Sequence, residues 1–309
     1  SILNYLKGMD DFVAIPSLND LASNPTDVCK KLSKKNLVVI KREPIIPDLT
    51  GFSFKPMHKK IRFTDYQNSA VDKISTSMDK NEFKPFLLHG VTGSGKTEIY
   101  IEAARHTINQ GKTVIMLLPE IALTPQIAGR FKSVFGDKVA MWHSKLSQSA
   151  RAWTWKRICA GDYKVVIGAR SAVFSPLKNL GLIVVDEEQE NSYKQESPAP
   201  RYHARDVSLM RGKIHNATVV LASATPSLES YYNYIHGKFE YIHLPERFGG
   251  AKYPHVHVVD MMKESEDTDV YGAIFSRILL EKISDRIEKK EQVILLHNRR
   301  GFAPVLRCA

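Results

Sequence analysis

The sequence predicts an α/β protein built on a parallel sheet with helices over both faces, and three observations carry that expectation. Phe86–His89, Thr113–Leu118, Val165–Ile167, Leu182–Val185 and Thr218–Leu221 are short continuous apolar runs. Such runs mark strands covered on both sides, where a half-exposed sheet would alternate. Helical start and stop signals separate them. Finally, Gly90-x-x-x-x-Gly95-Lys96-Thr97 stands between the first run and a helix. A triphosphate placed there meets backbone N–H groups at the positive end of a helix dipole.

Taken in order, residues 1–43 read as a small separate unit. A short helix is expected around Leu18–Leu21, then a helix opened by Asn24-Pro25 as N-cap and first helical residue, then a strand at Leu37–Ile40. That order is expected of part of a winged-helix DNA-binding unit, with Lys30, Lys31, Lys34 and Lys35 facing DNA or simply solvating one helix face. Pro44, Pro47, Gly51 and Pro56 mark a linker over 44–62. The sheet domain is expected over 63–245, starting with a helix at Tyr66–Met78 and ending in a strand at Tyr241–Leu244. Within it Gly111 stops the helix after the phosphate loop, Thr124-Pro125 opens the next, and Lys138–Trp142 is a shorter strand. Ser147 caps a helix reaching about Ala160, and Ser223–Pro226 reads as a helix cap with proline. Trp142, Trp153 and Trp155 are expected in the core or between helices. Residues 246–309 begin a new unit with strands at His257–Val259 and Gln292–Leu296 around a helix at Phe275–Lys289.

Composition narrows the function. The 309 residues are 43% hydrophobic, enough for a sizeable core, and no apolar run is as long as the ~20 residues of a membrane span. Cys29, Cys159 and Cys308 are odd in number and far apart, which argues for a reducing compartment without a disulfide framework. A net charge of +11 points to a polyanionic partner, nucleic acid before membrane. The chain begins at Ser1 and stops at Arg307-Cys308-Ala309, so it reads as a fragment.

The chemistry gathers at strand ends. Gly90, Thr92, Gly93, Ser94 and Gly95 form the phosphate cradle, Lys96 reaches the β/γ-phosphates and the Thr97 hydroxyl helps to hold Mg²⁺. Asp186-Glu187-Glu188-Gln189 closes the Leu182–Val185 strand at the edge where open parallel sheets gather ligands. Asp186 would orient Mg²⁺, and Glu187 would position or deprotonate the attacking water.

These motifs, with Leu118–Gln126, His143–Ser147, Gly168–Pro176, Ser192–Gln195, Arg201–Asp206, Ala222–Glu229 and Asn298–Pro304, resemble helicase superfamily two. Within it, the set is most similar to the primosomal replication-restart DNA helicases, over about Phe63–Cys308 and more weakly over 1–60. The resemblance implies a RecA-like P-loop first lobe, the start of a second RecA-like lobe over 246–309, and a winged-helix domain before them. It implies an ATP-dependent 3′-to-5′ helicase that recognises stalled or collapsed forks and initiates primosome assembly. Single-stranded and forked DNA, primosome proteins and single-strand-binding proteins are its implied partners, in the bacterial cytoplasm and nucleoid, without a membrane. It also implies residue roles. Gln67, otherwise a surface helix residue, reads adenine, which makes the nucleotide ATP. Pro119, Thr124, Gln126, Arg170 and Ser171 line the single-strand track, and Tyr193, Lys194, Tyr202 and His203 form an aromatic loop that meets DNA. Ser223 and Thr225 couple hydrolysis to movement between lobes.

Two departures qualify that picture. Gln189 stands in the catalytic motif where the family usually has His; both hydrogen-bond, only His carries a proton, so Gln189 is expected to affect coupling. Cys308 matches the first cysteine of a Zn²⁺ cluster, and one cysteine cannot make a four-ligand site. An arginine from the remainder of the second lobe completes such ATP sites and is worth ~10³-fold or more, so this chain is expected to bind nucleotide and DNA but hydrolyse poorly. The alternatives are a nucleotide-gated loading platform in which partner binding outweighs unwinding, and an unrelated P-loop GTPase or small-molecule kinase. Restart activity surviving Lys96→Ala would favour the platform. The guanine-reading Asn-Lys-x-Asp pattern is absent.

Overall fold

The computed structural model describes residues 2–7, 9, 13, 15–40, 62–119, 125–144, 146–247, 254–268 and 274–296. Thr124, Cys308, Asn298–Pro304 and nearly all of the expected linker fall outside them, as does the side chain of Gln126. The chain divides into two compact units, 1–251 and 252–309.

The first unit holds the expected parallel sheet. Its strands are β1 (Pro85–Gly90), β2 (Thr113–Leu117), β3 (Val139–Trp142), β4 (Val165–Gly168), β5 (Leu180–Asp186), β6 (Thr218–Ser223) and β7 (Glu240–Leu244). All pair in parallel, in the order β3-β4-β2-β5-β6-β1-β7. The helices are α1 (Ile2–Leu6), α2 (Pro25–Lys34), α3 (Asp65–Asp79), α4 (Lys96–Asn109), α5 (Pro125–Phe135), α6 (Gln148–Ala160), α7 (Ala204–His215) and α8 (Leu228–Ile235).

Two apolar layers explain the unbroken hydrophobic runs. Phe86, Leu88, Val114 and Met116 enter one layer, while Leu87, Ile115 and Leu117 enter the other. Successive strand residues point to opposite faces, and with helices on both faces each position must be apolar. The crossovers are closed by local chemistry. Ser147 Oγ accepts from Ala150 N–H to cap α6, and Thr64 and Gln67 form a reciprocal capping box at α3.

Register decides where chemistry can occur. In the central strands His89 lies opposite Ser223, and Asp186 opposite Ala222. The carboxyl ends of β5, β6 and β1 therefore bring three separate motifs side by side.

Several expected elements differ. Leu37–Ile40 is not a strand, the helix expected at Leu18–Leu21 is a 3₁₀ turn at Ile15–Leu18, and Ile2, Leu18 and Cys29 form a small satellite core. The cap of α8 is Ser227, one residue beyond Pro226. In the second unit α9 (Met261–Thr268) and α10 (Arg277–Glu288) form, and Glu264 accepts from the backbone N–H and guanidinium of Arg277. His257–Val259 and Gln292–Leu296 are not strands, and Ile294 is 95% exposed. β-branched residues favour a strand only when a neighbour supplies the ladder, and no strand lies beside them among the described residues.

Candidate active site

The phosphate loop joins β1 to α4. Gly95 adopts φ +81°, and a Cβ there would run into the Gln67 amide, so glycine is required by both backbone and neighbour. Lys96 Nζ donates to Gly90 O at 2.8 Å, folding the lysine back over the loop. Ser94 Oγ is buried without a hydrogen-bond partner. Such an orphaned hydroxyl, beside a cation held by a single carbonyl, fits a site shaped for an anionic ligand.

Gln67 corrects its own reading as a surface residue, being 3% exposed. Its Oε1 accepts from Thr64 N–H at 2.9 Å and its Nε2 donates to Ser94 O at 2.8 Å. The carboxamide thus ties the start of α3 to the phosphate loop.

Asp186 is 7% exposed at the end of β5. Tyr100, one turn beyond Lys96 on α4, donates to its Oδ1 at 2.8 Å. Burial and the neighbouring Asp186 push the Tyr100 phenol up, so it stays a donor. Burial also lifts Asp186 to about 6, against the Tyr100 hydrogen bond and Lys96, while Glu187 adds to the rise. Asp186 is therefore a buried carboxylate whose charge is poorly compensated, with Lys96 the cation acting on it.

Glu187 carries φ +46°, a sparsely populated backbone for a residue with a side chain. Gln189 Nε2 donates to Glu187 Oε2 at 3.0 Å, and Ser223 Oγ donates to Gln189 Oε1 at 2.6 Å. Ser223 Oγ in turn accepts from Thr225 N–H at 2.8 Å. The two expected coupling residues are thus joined to the expected catalytic pair through Gln189. A carboxamide suits this place because it donates to the carboxylate and accepts from the hydroxyl at once.

The expected strand-binding residues separate into two groups. Tyr193 is fully buried, and its hydroxyl donates to Asp186 O at 2.6 Å. Its ring cannot stack on a base, which corrects that expectation: it packs between the loop and the acidic strand end. Pro119 is buried as well. Lys194 is exposed, and Arg170 Nη1 donates to Ser192 O and Lys194 O at 3.3 and 2.7 Å. Arg170 therefore braces the aromatic loop through backbone carbonyls and has other N–H groups for phosphate. Tyr202 lies 5.9 Å from the Arg170 guanidinium and edge-on to Phe174, which is 47% exposed. His203 Nδ1 accepts from Arg205 N–H at α7, and burial, followed by Arg205, holds its pKa down. Ser171 is half-buried beside Arg170.

Sequence reasoning missed four participants. Glu188, fully buried, accepts from Arg205, from Ser227 N–H and Oγ, and from Ser230 Oγ. Its partner Arg205 stood within the Arg201–Asp206 motif without an assigned role. Tyr100 could have been found from its spacing, four residues after Lys96 on one helix face. His89 hydrogen-bonds Tyr241 Oη at 2.7 Å, linking β1 to β7. Among the described residues no cluster of three or more His, Cys, Asp or Glu could hold a metal ion, and no helix is long and apolar enough to cross a membrane.

The chain is 43% identical over 288 residues to the replication restart protein PriA of Chlamydia pneumoniae, covering 93% of this chain and 38% of that protein. It is 40% identical over 310 residues to the PriA of Bacillus subtilis, covering 100% of this chain and again 38% of the relative. The chain thus spans about two fifths of the length of these curated relatives. Among solved structures, RecG bound to a three-way DNA junction is similar at 20% identity, covering 68% of this chain and 27% of that one with a TM-score of 0.47. Residues 64–233, more than half of the sequence, match the DEAD/DEAH box helicase family, and the chain belongs to that family.

Proposed function

We propose that this chain carries the nucleotide-hydrolysing lobe of an ATP-dependent 3′-to-5′ DNA helicase that recognises stalled or collapsed replication forks and initiates primosome assembly. The observation that supports it most is the continuous path Glu187–Gln189–Ser223–Thr225 beside the phosphate loop. That path links the carboxylate beside the phosphate loop to the end of the neighbouring strand, the kind of connection that coupling hydrolysis to movement needs. The names of the relatives add the replication-restart role and, with the charge of +11, DNA as partner.

In this reading the Gly90–Gly95 loop binds the ATP phosphates and Ser94 Oγ gains its missing partner. Lys96 leaves Gly90 O for the β/γ-phosphates, and Gln67 senses the base through its remaining N–H. Thr97 and Asp186 would hold Mg²⁺, which when bound neutralises charge developing on the phosphate oxygens. Glu187 orients the attacking water, and Gln189 reports its position to Ser223. Pro119, Thr124, Gln126, Arg170, Ser171, Lys194, Tyr202 and His203 lie along the proposed single-strand path. Primosome and single-strand-binding proteins, a cytoplasmic location with nucleoid association, and Zn²⁺ at Cys308 rest on the resemblance alone.

The test is ATP and GTP binding and hydrolysis, with and without single-stranded DNA, by the chain and by Lys96→Ala. The expected result is a preference for ATP, strengthened by DNA and lost in the variant. Equal use of GTP, or indifference to DNA, would overturn the reading. In the full-length protein, unwinding of a 3′-tailed but not a 5′-tailed duplex tests the polarity.

A further inference from the structure

The sheet's outer edge holds a feature that the nucleotide site does not use. Trp142 ends β3, and its ring lies 5.2 Å from that of Trp155 on α6, tilted by 49°. The Arg151 guanidinium sits 5.3 Å from the Trp142 ring. With Leu146, Gln148 and Lys156 these side chains line a shallow cleft that contains no acidic residue.

Trp155 is not placed there by the core. Residues Ala150, Thr154 and Ile158 form the buried stripe of α6 at helical spacing. Gln148, Arg151 and Trp155 follow a second stripe rotated away from it. Trp155 is 37% exposed, and among the described residues neither Arg151 nor Lys156 forms an ion pair. An indole face flanked by two unpaired cations is complementary to a planar group carried on an anionic backbone.

The cleft adjoins the end of β4, which leads into the Arg170–Ser171 turn of the proposed strand path. Trp142 O accepts from Ala169 N–H at 3.2 Å, one residue before Arg170. Gly168 lies opposite Trp142 in the β3–β4 ladder, and a Cβ at Gly168 would strike the Trp142 carbonyl. Glycine thus lets the two strand ends close together and sets the cleft beside the Arg170–Ser171 turn.

We propose that this cleft takes an unpaired base of single-stranded DNA, stacked on Trp155, with Arg151 and Lys156 on the flanking phosphates. The inference rests on the reading of the chain as a DNA-binding lobe and extends its track to the β3 edge. Stacking on Trp155 is independent of base identity, because every base offers a π-face.

The experiment measures binding of the whole chain to a labelled oligothymidylate and to an abasic oligonucleotide of equal length. Trp155 is 37% exposed and lies outside the buried stripe of α6, so its replacement leaves that stripe intact. Trp155→Ala should weaken oligothymidylate binding roughly tenfold and narrow its advantage over the abasic strand. Trp155→Phe should keep most of the affinity while losing much of the DNA-induced quenching of tryptophan emission. Arg151→Gln with Lys156→Gln should lower the slope of log affinity against log salt by about 0.7 for each lost contact. Normal oligothymidylate binding with none of these dependences would overturn the cleft and leave the DNA-binding lobe standing. Quenching of Trp155 by an acidic aromatic peptide but not by DNA would overturn it too. Failure of the chain to bind any single strand would overturn both.

Discussion

Asp186 and Glu188 stand two residues apart at the end of β5, both removed from water, and their surroundings treat them oppositely. Glu188 is fully buried, yet both of its oxygens are used: Oε1 accepts from Ser227 N–H, and Oε2 accepts from Arg205, Ser227 Oγ and Ser230 Oγ. Asp186 has a single side-chain donor in Tyr100, and burial lifts its carboxyl to about 6. Nearby, Ser94 Oγ has no partner and Lys96 has one carbonyl. A satisfied buried charge locks structure, whereas an unsatisfied group beside it marks where a ligand completes the site. The Glu188 cluster fixes the starts of α7 and α8 against the acidic strand end, whereas the Asp186 cluster keeps uncompensated polar groups.

The contrast predicts stability effects of opposite sign. Glu188→Ala would leave Arg205 only the exposed carboxylates of Asp206 and Glu229 and strand two serine hydroxyls and a backbone N–H. Breaking such a pair from one side costs about 3–5 kcal/mol, so urea denaturation should reveal a strongly destabilised or unfolded chain. A loss below about 1 kcal/mol would mean that the cluster is not the lock inferred here.

Asp186→Asn should do the reverse in the ligand-free chain. The folded carboxyl is lifted from 3.8 to about 6, so between those values the folded state holds more protons than the unfolded one. Stability is therefore highest below the lower value, falls as pH rises through about 6, and stays reduced above it. The full difference is about 3 kcal/mol, and Asn keeps the acceptor for Tyr100 without the charge. Asp186→Asn should stabilise the chain by about 1–3 kcal/mol near pH 7.5 and by almost nothing near pH 4, while hydrolysis is lost. Equal denaturation midpoints at both pH values would remove the claim that burial strains this carboxylate.

The same contrast explains what the sequence could and could not reveal. The strands and the phosphate loop were readable because their signals are local: apolar runs of three to six residues and a glycine spacing fixed by one ligand. The caps at Asn24 and Ser147 were readable for the same reason. The Glu188 cluster was not, because its partners lie 17 to 42 residues away and meet it only after β5 and β6 pair. Gln67, 27 residues from Ser94, is likewise buried by tertiary structure that its own helix does not announce. Leu37–Ile40, His257–Val259 and Gln292–Leu296 failed in the other direction. Their composition favours extended chain, but a strand is a property of a pair, and no strand pairs with these segments among the described residues.

Tyr193 tests the boundary between lock and site with the smallest change. The resemblance placed it on DNA, yet its ring is buried and its hydroxyl holds the Asp186 carbonyl. Tyr193→Phe removes one hydrogen bond and keeps the ring, so a stacking role and a bracing role predict different results. A base-stacking tyrosine would tolerate the change in every assay, because phenylalanine offers the same π-face. A brace would lose about 0.5–1.5 kcal/mol of stability, leaving a buried carbonyl short of a donor. It should also weaken the stimulation of hydrolysis by DNA while DNA affinity stays at the wild-type value, because the hydroxyl touches the strand end that carries Asp186 rather than the DNA. Unchanged stability together with unchanged stimulation would return Tyr193 to the DNA-contacting group and detach the aromatic loop from the acidic motif.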